Sequence, residues 1–143
     1  MSTPLAVLDT NVLLDLWVFD DPSVRALRVA LDQGACVALR SADTDAELAG
    51  VLARAEFGVT MQRQAEILAN WRERSRPIGR GFPAPWRCTD PQDQRFLDLA
   101  FTARAQLLVT RDKALLRIAR KARAGGLCIV APRDFARHLP AAA

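Results

Sequence analysis

Four acidic residues stand where an α/β chain would place its chemistry: Asp9, Glu47, Asp93 and Asp112. Asp9 closes the apolar run Leu5-Ala6-Val7-Leu8, and Asp112 follows Leu107-Leu108-Val109 after Thr110 and Arg111. A short continuous apolar stretch with polar bounds reads as a buried strand of a parallel sheet. Both acids then sit at or just past the C-terminal ends of strands, the edge where open α/β sheets bind ligands. Glu47 and Asp93 fall at the starts of helical segments. Two carboxylates about 4 Å apart repel by roughly 4 kcal/mol at an effective dielectric of 20, so a cluster of four calls for a cation or for protonation. Oxygen ligands with no neighbouring His or Cys suit Mg²⁺ or Mn²⁺ better than zinc. Such an ion takes phosphate oxygens as further ligands, which points to phosphoryl transfer or phosphodiester hydrolysis.

Each acid also has a plainer role open to it. Glu47 has the spacing of a capping-box partner for Thr44, and Asp93 stands in the same relation to Asp90. Asp112 can cap a helix starting at Lys113, and Asp9 can brace a turn. One metal site is the more economical account of all four. Asp15, Asp32, Glu73 and Asp98 read as helix-surface acids.

The elements that must carry these residues alternate. Asp21-Pro22 opens a helix with Val24, Leu27, Ala30 and Leu31 on one side, ended by Gly34. Cys36–Leu39 reads as the second strand, followed by helices over Leu48-Val51-Leu52 and over Ala65-Ile67-Leu68-Trp71. Arg76-Pro77-Ile78 forms a short third strand, and Gly79–Arg87, with its glycines and prolines, is a loop. Asp90-Pro91 starts a helix with Phe96, Leu97, Ala100, Phe101 and Ala103 on its apolar side. Leu107–Val109 is strand four, Lys113–Arg123 is one helix broken by Gly125-Gly126, and Leu127–Val130 is strand five. Pro132–Leu139 is a terminal helical turn. Strands alternating with helices give a single α/β domain over 1–143 with a parallel sheet, frayed from about 140 onward.

Composition bounds the rest. A chain of 143 residues, half hydrophobic and a quarter charged, has the make-up of one globular domain. The apolar N-terminus lacks a basic lead and is interrupted by Asp9 and Asp15, so it reads as neither signal peptide nor membrane span. Cys36, Cys88 and Cys128 lie far apart, which fits a reducing, cytoplasmic setting. The net charge is +4, with Arg supplying 18 of the 20 basic residues. Arginine forks match phosphate oxygens, so the balance leans toward a nucleic-acid partner, although an excess spread over solvated faces explains the charge equally well.

The motifs around the acids resemble those of PIN domains. Val7-Leu8-Asp9-Thr10-Asn11-Val12-Leu13-Leu14 is similar to the family's opening motif, and Ser41 with Glu47 and Leu48 to its second. Asp90-Pro91-Gln92-Asp93-Gln94-Arg95-Phe96-Leu97 resembles the stretch that supplies the third acid, and Val109-Thr110-Arg111-Asp112 the fourth. The match runs in order through nearly the whole chain and looks nearest the bacterial branch of VapC-like ribonucleases, the toxins of type II toxin–antitoxin pairs. The resemblance implies a three-layer α/β sandwich with a five-stranded parallel sheet in the order 3-2-1-4-5. It implies that Asp9, Glu47, Asp93 and Asp112 bind Mg²⁺ or Mn²⁺ and carry catalysis, with Asn11, Thr110 and Ser41 in support. It further implies an RNA substrate, a small cognate antitoxin and a homodimer, with no membrane partner. The chain departs from the pattern in placing Arg111, in place of a small residue, before the fourth acid. Asp90 also competes with Asp93, though the Phe-Leu register selects Asp93.

Other constellations weigh less. A phosphatase of the haloacid-dehalogenase type would need a second acid where Asn11 stands, and Asn11 cannot shuttle a proton. His138 is the single histidine and has no supported nucleophile beside it. Lys113, Arg117, Arg120 and Lys121 recur at helical spacing near Arg123, as a phosphate-contacting stripe or as a solvated face. Arg111, Lys113, Arg117 and Trp86 are the candidates for nucleic-acid contact, while Trp17 and Trp71 fit a core. A PIN module that binds RNA or protein without cutting, and a structure-specific DNA nuclease, remain alternatives.

Overall fold

The computed structural model describes residues 3–139; the frayed tail expected from about 140 lies outside the described residues. Strand β1 (Leu5–Leu8) runs through Asp9 directly into a short helix α1 (Thr10–Leu14), which continues as one π-helical turn over Asp15–Phe19. Asp21 then caps a 3-10 turn (Pro22–Val24) by accepting from the Ser23 N–H at 2.8 Å, and helix α2 (Arg25–Asp32) follows. Gly34 takes φ +72°, a backbone conformation that a side chain resists, and turns the chain into β2 (Val37–Arg40). Helices α3 (Ala42–Leu52) and α4 (Met61–Arg74) lead to β3 (Ser75–Pro77). After the loop come α5 (Gln94–Ala103), β4 (Leu107–Val109), α6 (Lys113–Leu116), α7 (Ala119–Ala124) and β5 (Cys128–Val130), with a last 3-10 segment at Pro132–His138.

All five strands are parallel, in the order β3-β2-β1-β4-β5, as the resemblance implied. Leu8 lies opposite Val109, so the chain leaves β1 and β4 side by side at one edge. Alternation along each strand builds two cores. Ala6, Leu8, Ala38, Leu107 and Val109 face α1 to α4 together with Leu27, Leu48, Ile67 and Trp71. Val7, Leu39 and Leu108 face the other layer with Phe96, Leu97, Leu115 and Ala122. The sheet is thus covered on both sides, which is why β1, β4 and β5 are apolar without interruption, while the edge strand β3 (Ser75–Pro77) is polar and partly exposed. Trp17 and Trp71 meet edge to face at 5.7 Å against the first core. Among the described residues no helix is long and apolar enough to cross a membrane.

Three expectations are corrected. The segment expected as one helix from Lys113 to Arg123 is two, because the Ile118 N–H bonds the Leu115 carbonyl three residues back, tightening the chain at that point. Phe101 is not on the buried side of α5; it is 41% exposed and stands edge to face with Trp86. The capping box at α3 uses Ser41 and Thr44 rather than Thr44 and Glu47: the Thr44 N–H donates to Ser41 Oγ at 3.2 Å and the Ser41 N–H to Thr44 Oγ1 at 2.9 Å. Glu47, one turn further on, is free of that duty.

Candidate active site

The edge shared by β1 and β4 gathers the acids. Asp9 is 3% exposed, fixed from both sides. The Asn11 N–H donates to its Oδ1 at 3.3 Å, making Asp9 the N-cap of α1, and the Thr110 hydroxyl donates to its Oδ2 at 2.6 Å. Thr110 Oγ1 also accepts from the Asp112 N–H at 2.9 Å, so one hydroxyl registers the first acid against the fourth. Asp112 in turn caps α6, its Oδ1 accepting from the Ala114 N–H at 2.8 Å. The cap role and the site role therefore coincide in Asp9 and in Asp112.

Asp93 differs. It stands at the N-cap of α5 with no cap hydrogen bond from its side chain, and its Oδ2 is buried without a partner among the described residues. A buried oxygen left so is costly. Carboxylate oxygens of Asp90, Asp93 and Asp112 lie within 4.8 Å of one another. Burial, and then a hydrogen bond shared with Asp112 and repulsion from Asp112, Asp9 and Asp90, push the Asp93 carboxyl up to about 7. Asp9 is also raised, chiefly by burial, with the Thr110 and Asn11 hydrogen bonds working against it and Asp112 and Glu47 adding repulsion.

Glu47 joins this field from α3, but its carboxylate is paired with Arg95 of α5 at 3.1 Å. Arg95 is itself held by the carbonyls of Gln92 and Asp43. Ser41 is occupied as the α3 cap, and the Asn11 side chain is exposed beside Asp9. Arg111 pairs with Asp15 at 2.7 Å, and Lys113 and Arg117 are exposed around α6. Trp86 is half-buried, packed on Phe101, with its carbonyl accepting from Gln94 Nε2 at 2.8 Å. Phe82 is the more open aromatic of that loop. It lines a groove of about 860 Å³ with Arg80, Arg95, Ser41 and Asp98.

Residues 6–114 match the family model described as PIN domain. The chain belongs to the PIN domain family. That family is one of nucleases, and the matched segment contains Asp9, Glu47, Asp93 and Asp112. The crystal structure of VapBC2 from Rickettsia felis bound to a DNA fragment from their promoter is similar to the chain, with a TM-score of 0.62 at 14% identity, over 89% of this chain and 98% of that one. At that identity the likeness is one of fold. No curated protein matches the chain in sequence.

Several residues of this PIN domain's site escaped the sequence reading. Asp15, expected on a helix surface, is 1% exposed, because the π turn rolls it under Arg111. Asp98, expected on a surface too, accepts from the Ala84 N–H and from Gln94, holding the loop to α5. Cys88 stands near the acids, its thiol raised mainly by burial and further by Asp93, Asp112 and Asp90. Arg95 had no signal at all, since its partner lies 48 positions away on another helix. Asp90, by contrast, was already set against Asp93 by its place three residues earlier, and it lies in the same carboxylate cluster.

Proposed function

We propose that the protein is a Mg²⁺- or Mn²⁺-dependent endoribonuclease acting as the toxin of a type II toxin–antitoxin pair in the cytoplasm. The observation that carries the reading is the Asp90-Asp93-Asp112 cluster with Asp9 beside it, in which the buried Asp93 Oδ2 has no donor to satisfy it. An orphaned buried oxygen among other carboxylates is what a hard divalent ion would satisfy, and the all-oxygen set fits Mg²⁺ or Mn²⁺. Asp9, Asp93 and Asp112 would hold the ion, with Asp90 at the open side and Glu47 contributing field from its pair with Arg95. When bound, the ion would activate water and offset the charge on the phosphate oxygens.

The chain's own residues do the rest. Thr110 keeps Asp9 and Asp112 in register, and its hydrogen bond to Asp9 works against the rise that burial causes. The Asn11 and Ala114 N–H groups, at the starts of α1 and α6, donate to Asp9 and Asp112 and fix where each carboxylate stands. Arg95 keeps Glu47 from adding its full charge to the cluster. Burial of Asp9 and Asp93 excludes water from one side of the site. The VapBC2 neighbour supports a small antitoxin as partner, and the basic balance of the chain supports RNA; a homodimer follows the same family reading.

Incubation of the purified protein with single-stranded RNA, in Mn²⁺ and in chelator, tests the reading. Cutting in Mn²⁺ alone, lost in Asp9→Asn with the fold retained, is the expected result. RNA bound but never cut would leave a binding module, and cutting of DNA in preference to RNA would make it a DNA nuclease.

A further inference from the structure

Arg111 lies between Thr110, which holds Asp9, and Asp112. Its Nη2 donates to Asp15 Oδ1 at 2.9 Å and lies 2.7 Å from Oδ2, which is buried and accepts no hydrogen bond among the described residues. The pair is lopsided: the Asp15 side chain is 2% exposed and that of Arg111 is 48% exposed. Arg111 Nε and Nη1 have no hydrogen-bond partner among the described residues. Burying a carboxylate costs several kcal/mol, and a half-solvated cation recovers only part of that, so an apolar residue at position 15 would serve stability as well or better. Asp15 also opens the single π-helical turn of the chain's described part, a rare element that gathers at functional sites. What the buried acid does supply is direction. Both two-nitrogen edges of a guanidinium include Nη2, so the contact to Asp15 occupies one and orients the other, which pairs the second Nη2 hydrogen with a neighbouring N–H and matches the oxygens of a phosphate.

The geometry points to Arg111, oriented by the buried Asp15, as a binding residue for a backbone phosphate of the RNA next to the acidic cluster. This inference rests on the nuclease reading for the identity of the ligand. Arg111 touches the phosphate, and Asp15 is a positioning residue acting through it.

The test is binding of a labelled single-stranded oligoribonucleotide, followed by fluorescence anisotropy in chelator over a series of salt concentrations, with Mn²⁺ affinity measured separately by calorimetry. Arg111→Ala is expected to weaken RNA binding about tenfold and to flatten the salt dependence by about 0.7 in log–log slope, the loss of one phosphate contact. Asp15→Asn, with the arginine charge retained, is expected to lose most of the same affinity, and the double variant no more than Arg111→Ala alone. Arg111→Lys keeps the ion pair but has no second edge, so it too is expected to bind weakly; it carries the test if Asp15→Asn does not fold. Mn²⁺ affinity is not reduced in any of them. RNA binding at the wild-type level in Arg111→Lys or in a folded Asp15→Asn would overturn the inference. So would Mn²⁺ affinity falling in step with RNA affinity, which would make the pair a brace for Asp112. Wild-type protein that binds RNA but never cuts it removes the nuclease reading and leaves the phosphate contact standing. Wild-type protein that cuts while the Arg111 variants bind normally removes the contact alone, and protein that neither binds nor cuts removes both.

Discussion

The Thr110 hydroxyl donates to Asp9 Oδ2 at 2.6 Å across 101 positions of sequence, tying the end of β4 to the end of β1. The same oxygen accepts from the Asp112 N–H, so a single side chain sets the spacing of two acids. Thr110→Val keeps the shape and removes both bonds, leaving Asp9 Oδ2 and the Asp112 N–H without partners while Asp9 Oδ1 keeps the Asn11 N–H. Loss of about 1–3 kcal/mol of stability is expected in urea unfolding, because orphaned buried groups carry their full desolvation penalty. Activity in Mn²⁺ should fall as well, and Thr110→Ser should recover most of both. A valine variant as stable and active as wild type would show that the hydroxyl does not register the site.

The raised carboxyls give the metal-free protein an unusual pH dependence. Asp93 titrates near 7 in the folded state and at about 3.9 unfolded, so between those values the native state holds a proton that the unfolded chain has lost. Stability therefore falls as pH rises from about 4 to about 7, and acidification across that window stabilises the fold. Asp9 and Asp15, both raised mainly by burial, act in the same direction. Asp21, lowered by its Ser23 hydrogen bonds, opposes them only at the acid end, where its stabilising contribution is lost as pH falls. Urea midpoints in chelator should rise from pH 7.5 to 4.5, taken roughly across that linkage window. Mn²⁺ should flatten or reverse the trend, since a bound ion requires the acids ionised. Midpoints that drop on acidification in chelator would count against a shared proton in the cluster.

The parallel sheet was legible where its strands are short apolar runs with polar ends, as in β1, β4 and β5; β3 (Ser75–Pro77) carries no such run, and the strand order followed from the family resemblance alone. Asp9, Asp93 and Asp112 stood out because each occupies the N-cap of a helix, whereas Glu47 lies inside α3. What stayed hidden depends on contacts between distant segments. Asp15 reads as a surface residue by any local rule, and only the π turn after α1 buries it beneath Arg111. Glu47 looked like a capping partner because Thr44 precedes it at the right spacing, whereas Ser41 competes for Thr44 and wins by starting the helix earlier. The break at Arg117-Ile118 leaves no mark in a sequence whose apolar spacing stays helical throughout.

Arg95 sits against Glu47 at 3.1 Å with both side chains largely withdrawn from solvent. Its charge offsets that of Glu47, whose field reaches Asp9, and so works against a divalent cation. Arg95→Met, which keeps the packing length of the side chain, is therefore expected to raise Mn²⁺ affinity roughly three- to tenfold, the scale of about 1 kcal/mol for a partly exposed ion pair. Isothermal titration measures this directly. Weaker binding in the variant would mean that Arg95 aims Glu47 at the ion, an outcome that would promote Glu47 from a field contributor to a ligand.

Gly125 tests how the loop before the third acid is held. A Cβ at this position would lie 2.5 Å from Trp86 Cζ2 and 3.5 Å from the Ala122 carbonyl oxygen. Gly125 has φ −92°, so alanine meets no backbone strain and the conflict is with the indole alone. Gly125→Ala must push Trp86 off its edge-to-face contact with Phe101, at a cost of about 1–3 kcal/mol by the usual measure of overpacking. The displacement has a route to the site: Gln94 bonds the Trp86 carbonyl and the Cys88 N–H, each at 2.8 Å, and Asp93 is its neighbour in sequence. The variant should thus show red-shifted tryptophan emission together with reduced Mn²⁺ affinity, while Trp17 and Trp71, packed against the opposite core, contribute an unchanged background. Emission and affinity both at wild-type values would show that the loop does not depend on this packing, and that Asp93 is positioned by α5 alone.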